Sequence, residues 1–253
     1  MKKEYKNYIF DLYGTLIDIS TDEDSPVLWE KMAAKLQNDY SAKISTSKLR
    51  TDYLKYCREA EEELKKKNHA EFPEIQIEYV WERLINENSN AKVKAGDLEP
   101  LCVYFRETSR DKFGLYKGVL DTFSLLKKRG KKIYLLSNAQ RMFTEKELKD
   151  TLIDEEFDDI FISSDKLIKK PQKEFLDMLI AKHGLNRDEC VMIGNEIRCD
   201  VAIAVNCGIS SIFLNTNDHT DEAIKEQIDA LGIKDKALLP KIINDGDITK
   251  IID

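Results

Sequence analysis

The chain is poor in every feature that would commit it to a membrane, a disulfide framework or nucleic acid. No apolar run approaches the roughly 20 residues that a bilayer-spanning helix needs. Met1-Lys2-Lys3-Glu4 leads straight toward the first apolar strand, without a hydrophobic leader or a small-residue cleavage site. A cytoplasmic protein with no membrane partner is the expectation. Cys57, Cys102, Cys190, Cys199 and Cys207 are an odd, scattered set with no C-x-x-C pair, so neither a disulfide framework nor a zinc site is indicated. There is no basic excess: the formal charge of −7 argues against a nucleic-acid binder. The basic run Lys65-Lys66-Lys67 follows Glu61-Glu62-Glu63 with only Leu64 between, and reads as a mixed, solvated helix face. His69, His183 and His219 have no partner pattern and receive no role. What the chain does have is 253 residues, 42% of them apolar and 34% charged, enough for one large globular domain or two modest ones.

The most informative stretch runs from Asn7 to Asp18. Tyr8, Ile9 and Phe10 read as a strand buried on both faces, Asp11 falls at its C-terminal end, and Gly14 permits a tight turn. In an open α/β sheet that edge is where ligands bind, but an Asp before a Gly is also an ordinary turn residue. From about Ser25 to Phe113 the pattern is helical: Val27, Leu28, Met32, Leu36 and Tyr40, then Leu49, Tyr53, Tyr56 and Cys57, then Ile77, Val80, Trp81 and Leu84 recur at helical spacing, with another helix near Leu98 to Arg110. The aromatics Trp29, Tyr53, Tyr56, Tyr79 and Trp81 on these helices read as core.

From Tyr116 the pattern alternates. Helices are expected over Gly118 to Lys128, Thr144 to Thr151, from Pro171 to Gly184, over Asp200 to Val205 and near Glu222 to Leu231. Strands are expected over Lys132 to Leu136, Asp159 to Ile162, Cys190 to Ile193, Ser211 to Leu214 and Pro240 to Ile243. This alternation predicts a Rossmann-like, doubly wound parallel sheet that includes the first strand. The expected organisation is an α/β core of residues 1–18 and 114–253 with an inserted all-α domain of residues 19–113.

Asp11, Ser137-Asn138, Ser163-Ser164-Asp165 and Asn195-Glu196 each follow a strand, and parallel strands place all four groups on one edge. Lys169-Lys170 lies just past the third strand and Asp200 one helical turn beyond the fourth. A carboxylate nucleophile, hydroxyl and amide donors, an ammonium group and further acids suit phosphoryl transfer, and hard oxygen ligands favour Mg²⁺.

Phe10-Asp11-Leu12-Tyr13-Gly14-Thr15, Leu136-Ser137-Asn138, Lys170-Pro171, and Gly194-Asn195-Glu196 through Asp200 to Gly208 together resemble, in order, the motifs of the haloacid dehalogenase (HAD) superfamily. The helical insert resembles that family's cap. The resemblance implies that Asp11 is a nucleophile forming an aspartyl intermediate, that Thr15 and Ser137 hydrogen-bond the transferring group, that Lys170 neutralises charge and that Asn138 helps orient them. It further implies Mg²⁺ held by Asp11, the backbone carbonyl of Tyr13, and Asn195, Glu196 and Asp200. A Mg²⁺-dependent phosphatase of a small phosphorylated metabolite is the expected activity.

Family phosphatases usually carry a second Asp as general acid and base where this chain has Tyr13, and a phenol with an ordinary pKa of about 10 is a poor base at neutral pH. Tyr13 is similar to the 2-haloacid dehalogenases, whose motif reads Asp-Leu-Tyr-Gly-Thr and which displace halide without metal. Against that alternative, Ile197 stands where they carry a polar Asn, Arg50 is the first Arg of the insert, and Glu196 adds negative charge. A phosphate-binding module impaired in turnover by Tyr13 and Asn195 is the other alternative.

Overall fold

The apolar run Asn7–Phe10 (β1) lies inside a parallel sheet because both of its faces find cover, as a continuous run of apolar residues requires. The computed structural model describes residues 4–252, so the reading of the first three residues as lacking a leader lies outside them. The strands Lys132–Ser137 (β4), Asp159–Ile162 (β5), Cys190–Gly194 (β6), Ser210–Leu214 (β7) and Lys241–Ile243 (β8) join β1 in the order β5-β4-β1-β6-β7-β8, every pairing parallel. Chain order reverses beside β1, and such a switch point opens a crevice at the carboxyl ends of the strands.

Alternate residues of these strands feed two cores. Tyr8, Phe10, Ile133, Leu135, Val191 and Ile193 pack with Phe123 and Leu126 of the helix Val119–Lys128 (α5). Ile9, Tyr134, Leu136 and Met192 pack on the other side with Phe175 and Leu179 of Lys173–His183 (α8) and Ile203 and Ala204 of Ala202–Cys207 (α9). The remaining helices of this part are Arg141–Asp150 (α6), the short Ser163–Lys166 (α7) and Asp221–Ala230 (α10).

Between β1 and β4 comes the helical cap: Pro26–Tyr40 (α1), Thr46–Asn68 (α2), Ile77–Asn88 (α3) and Glu99–Ser109 (α4). It has its own core, in which Trp29, Tyr53, Trp81 and Phe105 pack with ring centroids 4.9–6.5 Å apart. Each such side chain contributes about 1.5–3 kcal/mol by leaving water. Tyr79 departs from the sequence reading, since it is 58% exposed and outside that core.

Two further strands were not anticipated. Ile17–Thr21 (β2) and Arg110–Leu115 (β3) form an antiparallel ribbon where the chain leaves and re-enters the sheet domain. Ile17 and Ile19, and Phe113 and Leu115, alternate inward against the first core, but the runs are short and half-exposed and each strand's partner lies far off in sequence. Helix α6 starts at Arg141, earlier than the apolar pattern suggests, and a π-helical turn, Ile197–Val201, precedes α9 where a regular helix start was expected.

The cap is fastened to the sheet domain at two places. In the loop between α2 and α3, Pro73 bridges Ile168, the Glu74 amide donates to the Leu167 carbonyl at 3.1 Å, and the Phe72 carbonyl accepts from the Lys169 amide at 2.9 Å. At the far end of the cap, Arg106 of α4 and Arg110 at the start of β3 pair with Glu147 of α6 at 2.9 and 3.2 Å. No helix among the described residues is long and apolar enough to cross a membrane.

Candidate active site

β1 ends at Phe10, and the Asp11 amide still donates to the Ile193 carbonyl of β6 at 2.9 Å, which fixes the carboxylate at the sheet edge. Beyond it the chain turns tightly: the Leu12 carbonyl accepts from the Thr15, Leu16 and Ile17 amides at 3.3, 2.8 and 2.9 Å. Gly14 has φ +79°, and a Cβ there would overlap the Asn195 amide, so only glycine lets the turn approach the loop after β6. Thr216 secures the turn from the next loop by donating to the Gly14 carbonyl at 2.6 Å. Thr15, turned inward, lies 3.2 Å from both Asp11 Oδ2 and Asn195 Oδ1, so its single proton is shared between them.

Lys170 is the centre of the constellation. Its Nζ donates to Asp11 Oδ1 at 2.6 Å and to Asp200 Oδ1 at 2.7 Å. All three side chains are buried. Burial alone would lower the Lys170 pKa, but the carboxylates outweigh it and hold the ammonium above its ordinary range. For Asp200 the balance is reversed: burial raises its pKa, with the Lys170 charge opposing. Taken as ionised, Asp11, Asp200 and Lys170 leave the cluster with one net negative charge.

The backbone places these groups deliberately. Asn138 clamps the main chain of Lys170, accepting from its amide at 2.8 Å and donating to its carbonyl at 3.1 Å. Lys169 faces the cap instead, with Nζ 3.2 Å from Glu61. Ser137 is fully buried and its hydroxyl has no hydrogen-bond partner among the described residues, leaving a donor available beside the motif. The π-helical turn carries Asp200 back so that its Oδ2 accepts from the Glu196 amide at 2.9 Å. That return requires Gly194, since a Cβ there would overlap the Asp200 carboxyl. Gly194→Ala is therefore expected to displace Asp200 and cost about 1–3 kcal/mol, as overpacking in a filled interior does. Urea unfolding monitored by circular dichroism checks this, and an unchanged midpoint would refute the close approach.

The structure thus gathers Asp11, Thr15, Lys170, Asn195 and Asp200 into contact, with Asn138 holding the Lys170 main chain and Ser137 ending β4. Two predicted residues send their side chains elsewhere. Glu196 contributes its backbone amide while its side chain is exposed. The Tyr13 phenol is engaged on α6, where it donates to Glu147 Oε2 and lies 2.9 Å from Thr144 Oγ1. Burial, reinforced by the Glu147 charge, raises its pKa far above the ordinary tyrosine value. Ser163 and Ser164 support the neighbouring loop, accepting from the Ala139 and Arg141 amides at 2.8 and 2.9 Å, and Asp165 pairs with Arg141.

Residues not singled out in the sequence carry the links to the cap. Glu147 receives Tyr13, Arg106 and Arg110, and the Arg106 guanidinium lies 4.8 Å from the centroids of both the Tyr13 and Phe143 rings. One available signal was that Glu147 falls on the buried stripe of α6 with Phe143, Thr144 and Leu148, an unusual place for an acid. Glu74 accepts from Ser163 Oγ at 2.9 Å and Gln140 Nε2 at 3.1 Å, tying the cap loop to the strand ends.

Among the described residues there is no group of three or more His, Cys, Asp or Glu arranged to hold a metal ion. Asp11 Oδ2 and Asn195 Oδ1 each lie 3.2 Å from Thr15 Oγ1. They are hard ligands of the kind Mg²⁺ takes, and Mg²⁺ commonly keeps several waters, so the donor set fits that ion with few protein ligands.

A family model described as haloacid dehalogenase-like hydrolase matches residues 5–208. The chain is 27% identical over 138 residues to the glyceraldehyde 3-phosphate phosphatase of Methanothermobacter thermautotrophicus, a stretch covering 52% of this chain and 61% of that protein. Among solved structures, the 2-haloacid dehalogenase from Pseudomonas syringae pv. Tomato DC3000 superposes with a TM-score of 0.65 at 16% identity, covering 98% of this chain and 96% of that one. The HAD phosphatase from Thermococcus onnurineus superposes with a TM-score of 0.61 at 18% identity, covering 98% and 97%. At these identities the superpositions establish a shared fold.

Proposed function

We propose, on the premise that the chain belongs to the haloacid dehalogenase-like hydrolases, that it is a Mg²⁺-dependent phosphohydrolase of a small phosphorylated compound. The substrate would lie between the core, residues 1–18 and 114–253, and the cap, residues 19–113. The observation that carries this reading is the Lys170 ammonium held between Asp11 and Asp200 at the strand ends. Among the described residues it leaves Asp11 Oδ2 hydrogen-bonded only by the shared Thr15 proton. That oxygen attacks phosphorus to give an aspartyl phosphate, and water then releases phosphate and restores the carboxylate.

Each group has a physical task. Lys170 pairs with Asp11 and places positive charge beside the transferring oxygens, while the unpartnered Ser137 hydroxyl and the Thr15 hydroxyl supply hydrogen bonds. Mg²⁺ would be held by Asp11, the Tyr13 carbonyl and Asn195, with Asp200 and Glu196 acting through water, and when bound it supplies further positive charge to the phosphoryl group. The similarity to a glyceraldehyde 3-phosphate phosphatase supports a phosphorylated substrate. The expected result is phosphate release from p-nitrophenyl phosphate that rises on adding Mg²⁺ and falls with EDTA.

Tyr13 favours a second reading, displacement of halide from a 2-haloacid. Metal-independent halide release from 2-chloropropionate, with no phosphate release from any ester, would establish that reading instead. Binding of an inert phosphate mimic without hydrolysis across a broad panel would identify a binding module.

A further inference from the structure

We propose that the leaving group departs from this site as an anion needing no proton, so that the substrate is an anhydride of phosphoric acid, an acyl phosphate in its simplest form, rather than an alkyl monoester. This deepens the phosphohydrolase reading and rests on it.

The inference follows from where the protons of the site go. An alkoxide is too basic to leave unless an acid beside it delivers a proton as the bond breaks, whereas a carboxylate leaves unaided. Tyr13, in the turn after Asp11, gives its phenolic proton to Glu147. Glu147 is 2% exposed and is also held by Arg106 Nε at 2.9 Å and Arg110 at 3.2 Å. Tyr13 is thereby a bracket between the Asp11 turn, α6 and the end of the cap, with its hydroxyl proton committed to Glu147. Lys170 directs protons to Asp11 and Asp200, and both Asp200 oxygens accept, from Lys170 and from the Glu196 amide. The Thr15 proton is shared between Asp11 and Asn195. The unpartnered Ser137 hydroxyl can hydrogen-bond a phosphoryl oxygen but is too weak an acid to protonate an alkoxide.

The chemistry balances without an acid. Asp11 Oδ2 forms a bond to phosphorus, and the phosphorus–oxygen bond to the acyl group breaks with its electron pair leaving on the carboxylate. Water then attacks phosphorus, the bond to Asp11 breaks with its pair returning to the Asp11 carboxylate, and the protons of that water leave on the phosphate. An acyl phosphate dianion and water give one carboxylate and one dihydrogen phosphate.

The test is a leaving-group series with the intact protein and Mg²⁺: acetyl phosphate, p-nitrophenyl phosphate, phenyl phosphate and glycerol 1-phosphate. kcat/KM is expected to fall steadily as the leaving group becomes more basic, with glycerol 1-phosphate at least about 10³-fold below acetyl phosphate, within the range a positioned acid would otherwise supply. If glycerol 1-phosphate is turned over within tenfold of acetyl phosphate, the proposal is overturned while the phosphohydrolase reading stands, because a carboxyl group outside this hydrogen-bonded set, such as that of Glu196, then serves as the acid. Silence across the whole series overturns both.

Discussion

Asp11→Asn is expected to lower turnover of every phosphorylated substrate by about 10⁴-fold or more, the scale of losing a nucleophile that acts as part of a unit. The substitution is nearly isosteric. An amide oxygen in place of Oδ1 still accepts from Lys170, and Lys170 keeps Asp200 at 2.7 Å as a one-to-one partner. The cluster then carries no net charge, and one of two buried carboxylates sharing a single cation is gone. Stability is expected to hold or rise slightly, since breaking up a buried charge cluster is costly only when it strands a charge. Phosphate release and a thermal melt on the same preparation separate the two effects. Retained turnover would remove Asp11 from the chemistry; lost turnover together with a lower melting temperature would indicate damage to the fold instead.

The sheet was readable because its strands announce themselves. Tyr8-Ile9-Phe10, Ile133 to Leu136 and Val191 to Ile193 are apolar on both faces, and their alternation with helices selects a covered parallel sheet. The cap was readable from the helical spacing of Leu28, Met32, Leu36 and Leu49, all buried in one core. The ribbon of β2 and β3 was not, because Arg110, Asp111 and Lys112 carry no strand-like alternation and their pairing is set by chain entry and exit.

At the site, the convergence of Asp11, Lys170 and Asp200 followed from their places at strand ends, because parallel strands align their carboxyl ends whatever the loops do. The destination of Tyr13 did not follow. Its position in the motif suggests a group facing the substrate, yet a side chain in a turn can point to either side. Here the other side offers Glu147, which pairs with Arg106 and Arg110. That network depends on contacts between α4, β3 and α6, which no local pattern encodes. The same holds for Glu74, whose partners Gln140 and Ser163 belong to loops brought together only by the sheet order.

Lys170→Met tests the site's electrostatics most severely. Lys170 is 3% exposed and is the cation that Asp11 and Asp200 share, so its removal strands two buried carboxylates beside one another. Removing one partner of a buried ion pair costs about 3–5 kcal/mol, and turnover is expected to vanish with the charge that activates Asp11. The sign of the pH dependence follows from Asp200, whose pKa burial already raises against the pull of Lys170. Without that pull it rises further in the folded protein. A carboxyl group whose folded pKa lies above its unfolded value contributes most below the unfolded value, about 4, and loses that contribution as pH climbs through the folded one. The deficit of the variant, measured by urea unfolding at matched pH, should therefore be smallest near pH 4 and grow as pH climbs through about 7 and beyond, where Asp200 of the wild type ionises and that of the variant does not. Lys170→Met combined with Asp200→Asn should recover much of the stability at pH 7, because only one buried charge then remains to be neutralised, and none of the turnover. If the double variant stays as unstable as the single one, Lys170 stabilises the fold through the packing of its stem and not through its charge; if it regains turnover, positive charge at that position is not part of the reaction.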